Sequence, residues 1–242
     1  MAILISVLAA LLARGREPRL GESDERTDGA KTAPAKLALR DGLHVFRYPA
    51  YVLHSLALVF FYTAMSVQIW IPAFLHRGFG LTNQQASGFL AQALLYTLPA
   101  GIVGGWLSSL TLRRFRWGFP LFLSLTSIAA AAAFYLAYTA PDLRSAQIGI
   151  VAAIALFGFS AGTLTTLVVE TVPAELRNSA AAFSVVLTSG IAGIVGPELV
   201  GVLSDAYTLS KGVLIAPAGY FIAGLIWAVL AAWQARANTT AH

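Results

Sequence analysis

Ala146 to Val169 reads AQIGIVAAIALFGFSAGTLTTLVV, twenty-four residues without a charged side chain, closed by Glu170. A helix needs about 20 apolar residues to cross a hydrocarbon core of about 30 Å. The stretch is too long for an ordinary buried strand, and it lacks the two-residue alternation of an outer-membrane strand. Five more such stretches flank it: Tyr48–Leu75, Gln85–Leu112, Trp117–Tyr138, Ala180–Leu203 and Val213–Trp233. Lipid offers no partner for backbone N–H and C=O groups, so each stretch must pair its own and reads as a helix. The expected architecture is therefore an all-α integral membrane protein, a six-transmembrane-helix bundle over 48–235 with a short tail at 236–242.

Composition agrees. The chain is 57% hydrophobic and 11% charged, with mean hydropathy +0.72. Soluble domains carry about 25% charged residues, so a soluble globular protein is excluded. A pI near 9.7 would invite a nucleic-acid partner in a soluble chain. Here the basic residues flank the spans, and no nucleic-acid partner is expected. The absence of cysteine removes disulfides and thiolate catalysis.

Ahead of the spans, Ala2–Ala13 is apolar but too short to cross. It reads either as a signal peptide ending in Ala10-Leu11-Leu12-Ala13 or as the end of a helix whose beginning is missing. A solvated linker follows over 14–47, and its last part, Leu37–Phe46, is either a short interfacial helix or a partly ordered continuation. Orientation follows from the basic residues. With 14–47 placed inside, the inner side holds thirteen of the sixteen Lys and Arg residues, including Arg113, Arg114, Arg116 and Arg177. Only Arg77, Arg144 and Lys211 remain outside. The expectation is a chain in the cell (inner) membrane with both termini cytoplasmic, and this weakens the signal-peptide reading.

Local motifs then become specific. Trp70-Ile71-Pro72-Ala73-Phe74-Leu75 closes the first span. Gly104-Gly105-Trp106-Leu107 precedes Arg113-Arg114. Val172-Pro173-Ala174-Glu175-Leu176-Arg177 leads into the fifth span, and Gly196-Pro197-Glu198-Leu199-Val200-Gly201 lies late in it. In this order they resemble the second half of a major facilitator superfamily (MFS) transporter, from the end of helix six through helix twelve, with Spinster-like features in the first motif. Ser109 and Leu110 stand where that family carries Asp and Arg, and Glu198 stands where it usually has a small or apolar residue.

The resemblance implies a secondary active transporter, moving a small organic or lipid-like solute across the bilayer by alternating access, with proton coupling open. It also implies a partner, an N-terminal six-helix half supplied by missing sequence, a separate chain or a second copy. A non-transporting scaffold or accessory subunit derived from a transporter half is the alternative. By the same resemblance, Glu170, Arg177, Arg113 and Arg114 form a cytoplasmic charge latch. Equally, they are ordinary interfacial charges.

Polar groups inside spans usually face the bundle interior or a cavity. His54, Tyr62 and Gln68 on the first span, Gln92 and Tyr96 on the second, Thr163 on the fourth and Glu198 on the fifth are the candidate lining of a substrate cavity. His54 titrates near neutral pH in water and is a candidate proton carrier, or a hydrogen-bonded structural group. Glu198 reads as a protonatable site or as a snorkelling interfacial acid. No enzyme motif is present, four scattered histidines make no metal site, and no cofactor is expected.

Overall fold

The computed structural model describes residues 42–115 and 117–239. The expected partial helix at 1–13, the linker up to residue 41 and Arg116 lie outside them. Six spans follow: α1 (Pro49–Phe79), α2 (Asn83–Arg114), α3 (Gly118–Tyr138), α4 (Leu143–Glu170), α5 (Ala174–Ala206) and α6 (Leu209–Arg236). The bundle is all-α with six membrane-capable helices, as the hydropathy pattern predicts. Successive spans are antiparallel, so Arg47, Arg113, Arg114, Arg177 and Arg236 gather at one end, the basic end.

The boundaries follow from capping chemistry. Pro49 occupies the first turn of α1, where its missing N–H leaves no bond unmade. Gly80, at φ 71°, stops that helix in the left-handed region. Thr82 and Gln85 form a reciprocal cap on α2: the Gln85 N–H donates to Thr82 Oγ1 at 3.2 Å, and the Thr82 N–H donates to Gln85 Oε1 at 3.0 Å. Gln85 therefore serves the helix start. Asp142 caps α4 by accepting from the Ser145 N–H at 2.9 Å and from the Ser145 hydroxyl at 2.7 Å.

These bonds hold the Asp142 carboxyl below its ordinary pKa of 3.8. A group depressed in the folded state stabilises it above the unfolded value, and that contribution fades as pH falls through the folded pKa. We expect the Ser145 amide to exchange faster in Asp142→Ala at neutral pH. In the unaltered chain its protection should weaken only below about pH 3.8. Amide hydrogen exchange checks both.

Packing is uneven. The sequence of extensive contacts runs from α5 to α1, α6, α3, α4 and α2. Of their apolar windows, α3 and α6 bury 56% and 50%, whereas α2 and α5 bury 17% each. A ring column ties the centre together. Trp227 and Tyr220 of α6 meet Phe61 of α1 at 5.5 and 4.9 Å between centroids, and Phe134 of α3 stacks on Tyr220 and Tyr138 at 5.5 Å each. Two glycines set the flanks. A Cβ on Gly104 of α2 would strike the Phe159 backbone of α4. One on Gly196 of α5 would strike Ser66 and Thr63 of α1. Each flanking helix thus reaches backbone contact with its neighbour.

The two spans α1 and α5, which pack on each other, both depart from regular geometry. In α1, a 3₁₀ segment at Val67–Trp70 interrupts the α-helix. In α5, a π segment occupies Val186–Ala192. The Ser66 hydroxyl bonds the Thr63 carbonyl at 2.7 Å and reaches the Ala192 carbonyl at 3.4 Å, bridging α1 to the end of the π segment. Beside the basic end, Leu43–Arg47 is a 3₁₀ turn. Its Phe46 ring packs edge-on against Tyr51 and Phe183, while Tyr51 donates to the Ala180 carbonyl at 3.0 Å.

Candidate functional site

Between α1, α4 and α5 lies a cavity of about 170 Å³. Leu58, Leu164, Val168 and Val185 supply apolar wall, and Tyr62, Thr165, Ser184 and Thr188 supply hydroxyls. Among the described residues lining it, none is charged. Two of the hydroxyls already have a donor bond: Thr165 Oγ1 donates to the Gly162 carbonyl and Thr188 Oγ1 to the Ser184 carbonyl, at 2.9 and 2.8 Å. Their lone pairs remain available to accept. Thr188 lies in the π segment, where the widened turn offsets its side chain from the regular α-helical rows.

Of the residues expected on a cavity wall, only Tyr62 lies here. His54 is fully buried in the core instead. The Trp227 indole N–H, which can only donate, reaches His54 Nδ1 at 2.9 Å. Nδ1 is therefore the acceptor. The proton sits on Nε2, which donates to the Leu164 carbonyl at 3.1 Å. The ring is a neutral three-helix joint between α1, α6 and α4. A protonated His54 would have to release Trp227, so the geometry favours the structural reading of this residue.

The remaining expected residues separate. Thr163 is buried in α4, with its hydroxyl unpartnered. Gln68 turns toward the core: its Nε2 is buried without a partner, and the residue faces Tyr220. Gln92 and Tyr96 are exposed on α2, and Glu198 is exposed on α5. At the basic end, Arg177 lies within electrostatic reach of Glu170 without closing an ion pair. Arg114 instead stands 6.0 Å over the Phe115 ring. The structure thus brings Glu170 and Arg177 together and leaves Arg113 and Arg114 apart from them.

Sequence reasoning missed Thr165, Ser184 and Thr188. Hydroxyls in spans usually bond their own helix backbone, so their presence carries little signal. The π segment that places Thr188 on the wall has no marker in the sequence.

Comparison with known proteins places this geometry. A family model described as Major Facilitator Superfamily matches residues 1–197. A cis,cis-muconate transport protein of Acinetobacter baylyi is 24% identical over 237 residues, covering 93% of this chain and 52% of the relative. The chain thus spans about half the length of that relative. Among solved structures, a bacterial homologue of the human lysosomal transporter Spinster, inward-facing and unoccupied, aligns with a TM-score of 0.60 at 18% identity. That alignment covers 86% of this chain and 51% of the other, and it shows the fold.

Proposed function

We propose, since this chain belongs to the Major Facilitator Superfamily, that it forms one six-helix half of a secondary transporter and that the α1–α4–α5 cavity is its share of the solute path. One observation carries this reading: an uncharged, hydroxyl-edged cavity lies between α1, α4 and α5, and α5 is one of the two least-buried spans. Transporters of this kind bind solute between two halves near mid-membrane and expose it alternately to either side. Tyr62 is fourteenth of the thirty-one residues of α1, and Thr188 fifteenth of the thirty-three of α5. Both stand close to the middle of their spans.

The lining selects a small organic solute with an apolar body. Aliphatic side chains cover that body, and hydroxyls orient its polar groups. The muconate relative supports an organic acid as the first candidate. The lining holds no cation, so the counter-charge for a carboxylate would come from the other half. The basic end lies in the cytoplasm by the positive-inside rule, and reporter fusions after Arg47 and Arg236 should both report that side. At that end the Glu170–Arg177 pair is placed to make and break as the halves rock. Such exposed pairs are worth about 0–1 kcal/mol.

The test is uptake of labelled cis,cis-muconate into membrane vesicles from cells producing the full protein. Tyr62→Ala and Thr188→Val should each lower uptake about tenfold, a loss of about 1.4 kcal/mol of binding, at unchanged abundance. Leu225→Ala, on an exposed face of α6, should leave it unchanged. Uptake indifferent to both cavity substitutions would remove the cavity from the path. Absence of uptake with any offered organic acid would favour the scaffold alternative.

A further inference from the structure

Between α3 and α6 lies an apolar groove of about 480 Å³ that shares no residue with the α1–α4–α5 cavity. Each helix contributes one stripe at the spacing of a helical face. Ile128, Ala131, Ala132 and Tyr135 stand at i, i+3, i+4 and i+7 on α3, and Leu214, Pro217, Ala218 and Phe221 repeat that spacing on α6. Both stripes are small in the middle and large at the ends. Ala131 and Pro217 are buried and make the floor, while the Tyr135 and Phe221 rings are 55% and 48% exposed and make the rim. The helices already touch beside the groove: a Cβ on Gly224 would stand 2.6 Å from Ile128. A nearer approach of α3 to α6 therefore cannot close it.

The surroundings of the groove point to its occupant. The lining carries no charge, and its one polar side chain is Tyr135, three residues before the end of α3. The groove thus lies within the hydrocarbon, and its mouth lies near the headgroups, where tyrosine is favoured. Lys211, the third residue of α6 and three before Leu214, is exposed at that same end. Its Nζ stands 5.4 Å over the Tyr207 ring, and among the described residues no carboxylate pairs with it. An apolar slot below an unpaired cation complements a molecule with an apolar tail below an anionic head.

We infer that the α3–α6 groove holds one acyl chain of an anionic phospholipid from the leaflet opposite the basic end, with its phosphate at Lys211. A chain moving from bulk lipid to protein leaves no water behind, so the hydrophobic effect does not hold it there. Dispersion contacts with a concave wall and the charge at the mouth do. The site is separate from the solute path, and its test does not depend on transport.

The chain has no cysteine, so Leu136→Cys, exposed beside Tyr135, can carry a bimane fluorophore without background. The full protein is reconstituted in phosphatidylcholine vesicles containing a small fraction of phosphatidylglycerol or phosphatidylcholine with a mid-chain nitroxide, which quenches bimane at contact. The phosphatidylglycerol probe should quench about fivefold more effectively, the effect of one basic side chain on an anionic lipid. Lys211→Gln should make the two probes equal. Ala218→Phe should do the same without changing any charge, because its ring fills the groove. Positions 211 and 218 are both exposed, so neither substitution disturbs the core. Equal quenching by the two probes in the otherwise unaltered chain overturns the proposal. A preference that survives Lys211→Gln overturns it too, and one that survives Ala218→Phe shows attraction by charge with the groove empty of lipid. Disulfide-linked homodimers of Ala218→Cys also overturn it, because they put a second copy of the chain over the groove.

Discussion

Gly104→Ala should prevent recovery of a folded bundle, while the same one-carbon change at Gly105 should leave folding intact. At Gly104 the new Cβ meets the carbonyl and Cα of Phe159, and backbone cannot rotate away as a side chain can. The opposing helix is equally tight: a Cβ on Gly158 would stand 2.8 Å from the Thr97 carbonyl. The crossing of α2 on α4 is thus built from glycine on both sides and has no slack. Overpacking a well-fitted contact costs about 1–3 kcal/mol where neighbours adjust. With backbone as the obstacle, the cost belongs at or above the top of that range. At Gly105 nothing lies within 4 Å. Alanine there removes the intrinsic helix penalty of glycine, about 1 kcal/mol. Monodisperse recovery and melting midpoint in detergent should differ sharply between these adjacent substitutions. Similar behaviour would show that α2 does not pack on α4 as described.

The second large effect is at the His54 joint. His54→Leu leaves the Trp227 N–H without an acceptor and the Leu164 carbonyl without its extra donor, both in the core. A buried group left unpaired costs about 1–3 kcal/mol, although interhelical bonds in membranes average nearer 0.6. A total of about 2–4 kcal/mol is expected, including the misfit of the new side chain. Trp227→Phe removes the donor itself, so the double variant should cost less than the sum of the two single ones, by about 1 kcal/mol. A detergent melting series reads this directly. Strict additivity would contradict a bond between the two rings.

The fold was legible because a membrane span is a statement about length and polarity. The uncharged run at 146–169 could satisfy its backbone only as a helix, and the other five runs follow from the same constraint. Caps such as Asp142 and the Thr82–Gln85 pair moved boundaries by a few residues without changing the count. The site was far less legible. His54 and Phe61 do share a face of α1, but that face is turned to α6, where Trp227 completes His54. Helical spacing gives the face and not the neighbour that covers it. Polar character alone therefore placed His54 and Thr163 on a cavity wall when both are core. Thr188 reached the wall within a π segment of α5 that packs on α1, a local widening that regular helical spacing does not show. Ser184 and Thr165 were hidden by the commonness of span hydroxyls.

Cysteine labelling at Thr188 tests the central claim, that the α1–α4–α5 cavity is part of a solute path through a membrane transporter half. A charged, water-borne maleimide reacts with thiols that water reaches and spares those facing lipid. In the cysteine-free chain, Thr188→Cys in intact membranes should react, and added cis,cis-muconate should slow that reaction. Leu225→Cys on α6 should stay unlabelled. A Thr188→Cys chain as inert as Leu225→Cys, or one that reacts at a rate no organic acid alters, would contradict the account.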